Sequence, residues 1–247
     1  MTDPIRDLLE EAGRVAMDSW RTGDVGVMDK GGRGERPNLV TDADLAVNAL
    51  ITDRLASLFP RVSIVSEEAE GYDSAPPDAF VLDPIDGTHN FLAGSPLWTI
   101  VLARTRGHEV EEAWVYHPPT RELSHASRLT PTTHAGRPVV VSGTASRRGL
   151  ISISLSRELL PLLMAADRFA GIRALGSSAY CLAAAARGEF LLHAGGGHPW
   201  DVAAGFLLIE RAGGLVRTLS GGRRSPYENV KSLAGAPHAV EQSLSLF

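Results

Sequence analysis

Two aspartates lie three positions apart in the segment FVLDPIDGTHNF, residues 80–91. Asp83 and Asp86 follow an apolar run, and Pro84 predicts that the chain leaves a central strand here, because proline has no N–H for the ladder. In the resulting turn, both carboxylates and the carbonyl group of Ile85 can face one point. These oxygens suit Mg²⁺, whereas two carboxylates this close without a cation would repel each other. The segment therefore predicts a metal site.

The two residues after Asp86 predict an anion site next to the metal site. Gly87 allows a positive φ and a close approach of the backbone. Thr88 supplies a hydroxyl and an amide near an expected helix start, where a negative charge is favoured. A metal and a phosphate group can thus be held within a few residues of each other.

Three more acidic residues occur at the ends of expected elements: Asp44 in VTDAD, Glu67 in VSEE and Asp201 in HPWD. Ligands of open α/β sheets bind at such ends. Each residue taken alone also has a structural explanation, because acids are common in first helical turns, in loops and at helix N-caps. For any one of these residues taken alone, the structural explanation is favoured.

The composition narrows the class of protein. The chain has 247 residues, 44% hydrophobic and 21% charged, which is ordinary for a soluble domain. A net charge of −5 and the lack of a basic stripe argue against a nucleic-acid partner. The single cysteine, Cys181, excludes an intramolecular disulfide and fits a reducing compartment. With no apolar signal core and no stretch of membrane-span length, we expect a cytoplasmic protein with no membrane partner.

Hydrophobic periodicity and turn residues predict alternating helices and strands. The expected elements are a helix from Pro4, a helix over 42–58 with Leu45, Ala49, Leu55 and Leu58 as apolar positions, strands over 61–68 and 79–86, an antiparallel meander over 98–126, a strand over 137–143, a helix over 147–165, a strand over 170–176, a helix over 177–187, a strand over 189–194, a helix over 201–212 and a strand over 214–218. This order predicts an α/β (α+β) sandwich with a cleft between two lobes.

The segments DPIDGTHNF and HPWDVAAG together resemble the inositol monophosphatase family, within the superfamily of Mg²⁺-dependent, lithium-sensitive phosphatases. LVTDAD, IVSEEAEG, ALGSSAYCLAAAARGEF and RAGGLVRT resemble other segments of the family in the right order, with Ser66 where glycine is more usual. The resemblance covers nearly the whole chain. It implies a single domain, residues 1–247, with lobes at about 1–142 and 143–247. The implied fold is a five-layer αβαβα sandwich of the inositol monophosphatase and fructose-1,6-bisphosphatase type, usually a homodimer.

The resemblance also implies residue roles for a Mg²⁺-dependent phosphoric monoester hydrolase. The implied ligands of two metal ions are Glu67, Asp83 and the Ile85 carbonyl for the first ion, and Asp83, Asp86 and Asp201 for the second. Glu67 would share a third, weaker ion, Mn²⁺ would substitute and Li⁺ would inhibit. Thr88, Asp44 and Glu67 are the implied catalytic residues, which orient and deprotonate a metal-activated water. The implied substrate-binding residues are Asp86, Gly87, Thr88, Ser177 and Asp201.

The substrate class stays open among small phosphate esters. Inositol-specific members carry a glutamate seven positions before the last aspartate, and this chain has Ala194 there. We expect a small polyol, inositol or sugar phosphate; the alternatives are 3′-phosphoadenosine 5′-phosphate and histidinol phosphate. A more remote alternative is a non-catalytic, metal-binding regulatory protein, which the complete ligand set disfavours.

Several further residues have both a functional and a structural reading. Ser177 and Ser178 either cap a helix or face substrate hydroxyls. Arg147 and Arg148 either meet a second acidic group or are surface charges. The segment DKGGRGERPN, with Lys30, is a hypothetical mobile lid.

Overall fold

The structure is a computed structural model, and it describes residues 3–23, 26–29, 39–69, 74–144 and 148–247. The lid hypothesis, with Lys30, and the reading of Arg147 lie outside these residues. The seven α-helices of the described part are α1 (Pro4–Thr22), α2 (Asp42–Leu58), α3 (Thr88–Leu92), α4 (Leu160–Met164), α5 (Ser178–Ala186), α6 (Pro199–Arg211) and α7 (Pro237–Leu244). None of the described helices is long and apolar enough to span a bilayer.

Fourteen strands are described along the chain. They are β1 (Val27–Asp29), β2 (Leu39–Thr41), β3 (Ser63–Ser66), β4 (Ala79–Asp86), β5 (Thr99–Arg106), β6 (Glu109–His117), β7 (Glu122–Ser127), β8 (Thr130–His134), β9 (Arg137–Pro138), β10 (Leu150–Ile153), β11 (Gly171–Arg173), β12 (Leu192–Gly195), β13 (Leu215–Thr218) and β14 (Ser232–Gly235). One sheet has seven strands in the order β3-β4-β5-β6-β7-β8-β9, a second has five in the order β11-β10-β12-β14-β13, and β1 pairs with β2 in an antiparallel two-stranded sheet.

The two larger sheets and the helices stack in five layers. Helices α1 and α2 cover one face of the seven-stranded sheet, and α5 and α6 fill the space between the two sheets. Helices α4 and α7 pack on the outer face of the five-stranded sheet. The predicted αβαβα sandwich is therefore confirmed.

Strand β4 is buried on both faces because apolar side chains alternate along it. Phe80 and Leu82 point into the core shared with α1 and α2, whereas Ala79 and Val81 point into the core shared with α5 and α6. A strand covered on both sides is apolar at every position until a functional residue interrupts the run. The interruption in β4 is Asp83.

Side chains cap the N-termini of α1 and α2. The side chain of Asp3 accepts hydrogen bonds from the amides of Ile5 (3.0 Å) and Arg6 (3.4 Å) at the start of α1. Thr41 caps α2, where its hydroxyl accepts from the amide of Asp44 at 3.2 Å. These caps begin the two helices that cover the outer face of the seven-stranded sheet.

Three local predictions are wrong. Where a helix over 147–165 is expected, the chain forms strand β10 followed by short helical turns. Ile151 and Ile153 both point into the core that packs against α7, which is the two-residue period of a strand rather than the 3.6-residue period of a helix. Of the expected strand over 137–143, only Arg137–Pro138 is a strand, since the amide of Val141 bonds instead to the carbonyl of Ala212 at the end of α6.

The third error concerns helix α2. Leu45 and Leu58 are 39% and 45% exposed, so they do not form its buried face. The residues of α2 that are buried are Ala43, Asp44, Val47, Ile51 and Leu55. A carboxylate thus occupies a position that packing alone would give to an apolar side chain, and hydrogen bonds from Thr41 satisfy it in a capping box.

Candidate active site

Strand β4 continues through Pro84 to Asp86, so the expectation that the chain leaves the sheet at the proline is wrong. Asp83 pairs with Val101 of β5 and Asp86 pairs with Thr99, with a register shift between them. Between these two pairs, Pro84 and Ile85 of β4 oppose the single residue Ile100 of β5, which is a β-bulge. The bulge absorbs the missing N–H of Pro84 and lets the chain stay in the sheet while it presents both aspartates.

Three carboxylates from three different elements converge beside this bulge. Oxygen atoms of Glu67, Asp83 and Asp201 all lie within 4.8 Å of one another. Glu67 directly follows β3, and its amide bonds to the carbonyl of Leu82 at 3.1 Å. Asp201 lies in the first turn of α6 and accepts a hydrogen bond from the amide of His198 at 2.7 Å. The helix of the middle layer thus carries one carboxylate to the edge of the sheet.

The cluster is electrostatically unfavourable without a cation. Burial raises the pKa of Asp83 well above its usual range, and the charges of Glu67 and Asp86 raise it further. Burial likewise raises the pKa of Asp201, with Asp86 and Glu67 as the next causes. Buried carboxylates that repel one another are stabilised by a bound cation.

The donor atoms fit a hard divalent ion. The converging groups are carboxylates, and oxygen-only ligand sets suit Mg²⁺ or Mn²⁺ rather than zinc or copper. Glu67, Asp83 and Asp201 would hold the ion. Asp86 is close enough for its charge to act on both Asp83 and Asp201, and it would complete the set.

Asp86 is held by the start of helix α5. The hydroxyl of Ser177 donates to its Oδ2, and the amides of Ala179 (2.8 Å) and Ser178 (3.3 Å) donate to its two oxygens. Burial raises the pKa of Asp86, and these hydrogen bonds act in the opposite direction. The hydroxyl oxygen of Ser177 also accepts a hydrogen bond from the amide of Tyr180 at 3.3 Å. Ser177 therefore caps α5 and, with the same hydroxyl, donates a hydrogen bond to Asp86.

Asp44 and Thr88 form the second polar group of the site. Asp44 is 1% exposed, and its Oδ2 accepts hydrogen bonds from the hydroxyl and the amide of Thr41, the latter at 2.9 Å. Its Oδ1 lies 3.5 Å from the hydroxyl of Thr88, which also lies 3.2 Å from the carbonyl oxygen of Ile85. The hydroxyl of Thr88 has one proton and can therefore donate a hydrogen bond to either acceptor.

Gly87 has a backbone conformation that other residues rarely adopt. Its φ is +99°, and a Cβ atom there would lie 3.1 Å from both the carbonyl oxygen of Leu97 and the Cβ of Ser177. Asn90 braces the same place, because its side-chain amide donates to the carbonyl groups of Leu97 and Leu175, each at 2.7 Å. The turn after Asp86 is thus packed between two segments that are distant in the sequence.

Sequence reasoning missed Thr41, Asn48 and Asn90 as members of this region. The hydroxyl of Ser66, the unusual residue in the SEE segment, donates to Oδ1 of Asn48 on α2 at 2.6 Å and accepts from the amide of Glu68 at 3.3 Å. The available signal for Thr41 was the capping pattern of VTDAD. Asn48 and Asn90 carry no local signal, because their partners lie on other elements.

Ala194, Arg148 and three histidines are not part of the carboxylate cluster. Ala194 is fully buried in the core of β10, β12 and α7, so its side chain does not face the site. His193 is buried and bonds to Ser152 at 3.0 Å, and its burial lowers its pKa to about 4. His89, His198 and Arg148 are exposed at the surface.

A family model supplies the decisive comparison. The model of the inositol monophosphatase family matches residues 1–245. The chain belongs to the inositol monophosphatase family. This membership confirms the resemblance drawn from DPIDGTHNF and HPWDVAAG, and it confirms that the chain is an enzyme of the phosphatase class, a hydrolase.

Curated relatives and solved structures agree with the family model. A fructose-1,6-bisphosphatase/inositol-1-monophosphatase of Thermotoga maritima is 30% identical over 87% of this chain and 83% of the relative. The Nus factor SuhB of Pseudomonas aeruginosa is 32% identical over 74% of this chain and 73% of the relative. The structure of the extragenic suppressor protein suhB of Bartonella henselae is 26% identical, with a TM-score of 0.89 over 98% of this chain and 96% of that one.

Proposed function

We propose that this protein is a Mg²⁺-dependent phosphomonoesterase that acts on a small polyol, inositol or sugar phosphate. The observation that carries the proposal is the convergence of Glu67, Asp83 and Asp201 within 4.8 Å, in a family of phosphatases. Bound Mg²⁺ would make a water molecule a stronger nucleophile and offset the charge of the phosphate group. We further propose two or three ions, with Mn²⁺ able to replace Mg²⁺ and Li⁺ inhibitory.

The residues around Thr88 would direct the attacking water. The Thr88 hydroxyl would donate its hydrogen bond to the Asp44 carboxylate, 3.5 Å away. Its oxygen would then still have lone pairs that can accept a hydrogen bond from water. Asp44 is fixed by Thr41 and would receive the proton, and Glu67 would be a second carboxylate that acts on the same water. Positioning of this kind supplies much of the catalysis in phosphoryl transfer.

The backbone after Asp86 would hold the phosphate group. The first amides of a helix have no acceptor within it, so the amides of Gly87 and Thr88 at the start of α3 are suited to phosphate oxygens. Asp86 and Asp201 would bind the substrate as well as a metal ion. Ser177 acts through Asp86, because its proton is already donated to that carboxylate.

The substrate assignment follows from what surrounds the phosphate site. Ala194 offers no carboxylate to sugar hydroxyls and is buried, so we propose a phosphatase without the inositol-specific contact of the family. The alternatives, 3′-phosphoadenosine 5′-phosphate and histidinol phosphate, are separate outcomes of the same assay. We propose a single domain whose lobes, about 1–142 and 143–247, flank the site, and a cytoplasmic homodimer.

A regulatory role without catalysis is the second candidate, since the Pseudomonas relative is named a Nus factor. The complete carboxylate set and the Asp44–Thr88 contact favour a working enzyme instead. A net charge of −5 also disfavours direct binding of nucleic acid.

The test is the initial rate of phosphate release, with Mg²⁺ and with EDTA, from inositol phosphates, sugar phosphates, histidinol phosphate and nucleoside bisphosphates. We expect Mg²⁺-dependent turnover of at least one polyol or sugar phosphate, abolished in Asp83→Asn. Turnover that survives in Asp83→Asn would overturn the metal mechanism, and no turnover of any ester would favour the regulatory alternative.

A further inference from the structure

Arg224 is a buried cation outside the residues that the sequence points to. In the sequence it lies in the segment that connects β13 to β14, and it is 5% exposed. Its Nη1 donates to the hydroxyl of Ser232 at 2.9 Å, and its Nη2 donates to the carbonyl groups of Glu228 (2.9 Å) and Gly197 (3.3 Å). Burial lowers its pKa to about 10, so the guanidinium group is still charged at neutral pH. A buried charge is costly unless hydrogen bonds compensate for the lost water, which these three contacts do in part.

Two of these contacts lead to one short segment, the glycine loop of residues 195–197, whose first residue is also the last of β12. Arg224 bonds directly to the carbonyl of Gly197, and Ser232, which accepts from Arg224, donates to the carbonyl of Gly195 at 3.2 Å. Three consecutive glycines have no side chains with which to anchor themselves and lose much conformational entropy when ordered. The pairing of β12 with β14 holds Gly195, and the side chains of Arg224 and Ser232 add hydrogen bonds to the carbonyl groups of Gly197 and Gly195.

The glycine loop lies directly against the carboxylate of Asp201. A Cβ atom on Gly197 would lie 2.2 Å from Oδ2 of Asp201, so only glycine leaves room for that oxygen. The next residue, His198, donates its amide to the same oxygen at 2.7 Å. Any displacement of the loop would therefore displace the carboxylate or remove its hydrogen bond.

Arg224 also contacts the helix that carries Asp201. Its guanidinium group lies 4.8 Å from the centre of the Phe206 ring, on α6. One side chain thus holds the backbone just before Asp201 through Gly197 and the helix just after it through Phe206. The charge of Arg224 also acts on Asp201, in the direction that favours the ionised carboxylate.

We propose that Arg224 is a positioning residue for Asp201: it holds the glycine loop against α6 so that the Asp201 carboxylate meets Glu67 and Asp83. The inference rests on the proposed function, in which these three carboxylates bind Mg²⁺. Groups that orient metal ligands without touching the metal typically change metal affinity by about 10- to 100-fold when removed.

The test compares two adjacent arginines. Arg224→Met keeps an unbranched apolar stem but removes the hydrogen bonds. Arg223→Met is the matched control, because Arg223 is exposed and pairs with Glu109 at 2.9 Å on the surface. Mg²⁺ affinity is measured by isothermal titration calorimetry on the full chain, and the Mg²⁺ concentration for half-maximal phosphatase activity is measured on the same samples.

We expect Arg224→Met to weaken Mg²⁺ binding about 10-fold or more, and to raise the half-activating Mg²⁺ concentration in parallel, with a much smaller loss of kcat at saturating Mg²⁺. Arg223→Met should differ from the wild type by less than about twofold, as expected for an exposed ion pair. If Arg224→Met does not fold, Arg224→Lys and Ser232→Ala carry the test, and both should weaken Mg²⁺ binding.

The role of Arg224 would be overturned if Arg224→Met folded and bound Mg²⁺ with wild-type affinity. If Arg224→Met did not fold, wild-type affinity in both Arg224→Lys and Ser232→Ala would overturn it. That result would leave the proposed function intact, because the wild type would still bind Mg²⁺ and turn over substrate. A wild-type protein that binds no Mg²⁺ in the calorimeter would instead overturn the proposed function, and the role of Arg224 with it.

Discussion

The hydroxyl of Ser177 donates a hydrogen bond to Oδ2 of Asp86, 91 positions earlier in the chain. This contact joins β4 of the seven-stranded sheet to α5 of the middle layer. The amides of Ser178 and Ala179 donate to the same carboxylate, so Asp86 meets the N-terminal end of a helix and three donors. The interface between two layers is therefore also a wall of the candidate active site.

Ser177→Ala tests this contact. The variant loses both the cap of α5 and a donor to Asp86, so we expect a loss of about 1 kcal/mol in the free energy of unfolding and a Mg²⁺ affinity lowered by about 10-fold. Urea denaturation and calorimetry measure the two effects. Ser178→Ala is the control, because the backbone amide of residue 178 still donates to Asp86; equal effects in both variants would show that the Ser177 hydroxyl has no special role.

Asp83→Asn tests the charge repulsion in the carboxylate cluster. Without metal, the ionised Asp83 is destabilised by burial and by its acidic neighbours, so the neutral asparagine should raise the thermal stability of the protein in EDTA at pH 8, by on the order of 1 kcal/mol. Saturating Mg²⁺ should stabilise the wild type more than the variant. Differential scanning calorimetry with EDTA and with Mg²⁺ decides this, and an Asp83→Asn protein less stable than the wild type in EDTA would be evidence against the repulsion.

His193 makes the stability depend on pH in the acid range. Burial lowers its pKa in the folded protein from 6.5 to about 4, so the unfolded chain binds more protons between these values. The associated stability is present above pH 6.5 and is lost as the pH falls towards 4, on the order of 3 kcal/mol in total. Urea denaturation in EDTA measures the free energy of unfolding across this pH range. It should change less with pH in His193→Gln than in the wild type. The control His89→Gln, at an exposed site, should follow the wild type. An unchanged slope in His193→Gln would rule out this residue as the cause.

Gly87→Ala tests the close packing of the turn after Asp86. Both φ = +99° and the neighbours at 3.1 Å oppose a Cβ atom, so the turn should move and the turnover rate should fall. Gly94→Ala is the matched control, because Gly94 also has a positive φ, +70°, but has open space around it. Both variants should lose about 1–2 kcal/mol of stability from backbone strain. Only Gly87→Ala should lose most of its kcat, and equal activities in the two variants would contradict the packing argument.

The sequence predicted the elements whose local signals are strong. Asp3 and Pro4 mark the start of α1, and the apolar run before Asp83 predicts β4, because caps and buried strands depend on neighbouring residues. The DPIDGT segment also predicted that carboxylates and a glycine turn lie together.

The errors have a common physical origin in contacts between distant parts of the chain. Strand β10 is parallel to β11 and β12, and its four residues carry too short a pattern to reveal their period. The bulge at Pro84 depends on β5 as a partner, which local sequence does not show. Arg224 lies in a segment without periodicity, and its contact with the glycine loop appears only when β14 and α6 are packed together.

The most direct test of the account is the Mg²⁺-dependent release of phosphate by Asp201→Asn, measured with the best substrate of the wild type. Asp201 is far from Glu67 and Asp83 in the sequence, and the fold brings the three carboxylates together. The effect of its substitution on activity therefore tests both their convergence and the proposed metal chemistry. The control is Asp167→Asn, which removes one exposed carboxylate from the outer layer. We predict that Asp201→Asn lowers kcat/KM by more than about 100-fold while Asp167→Asn keeps the wild-type rate. A folded Asp201→Asn protein with wild-type activity would contradict the account.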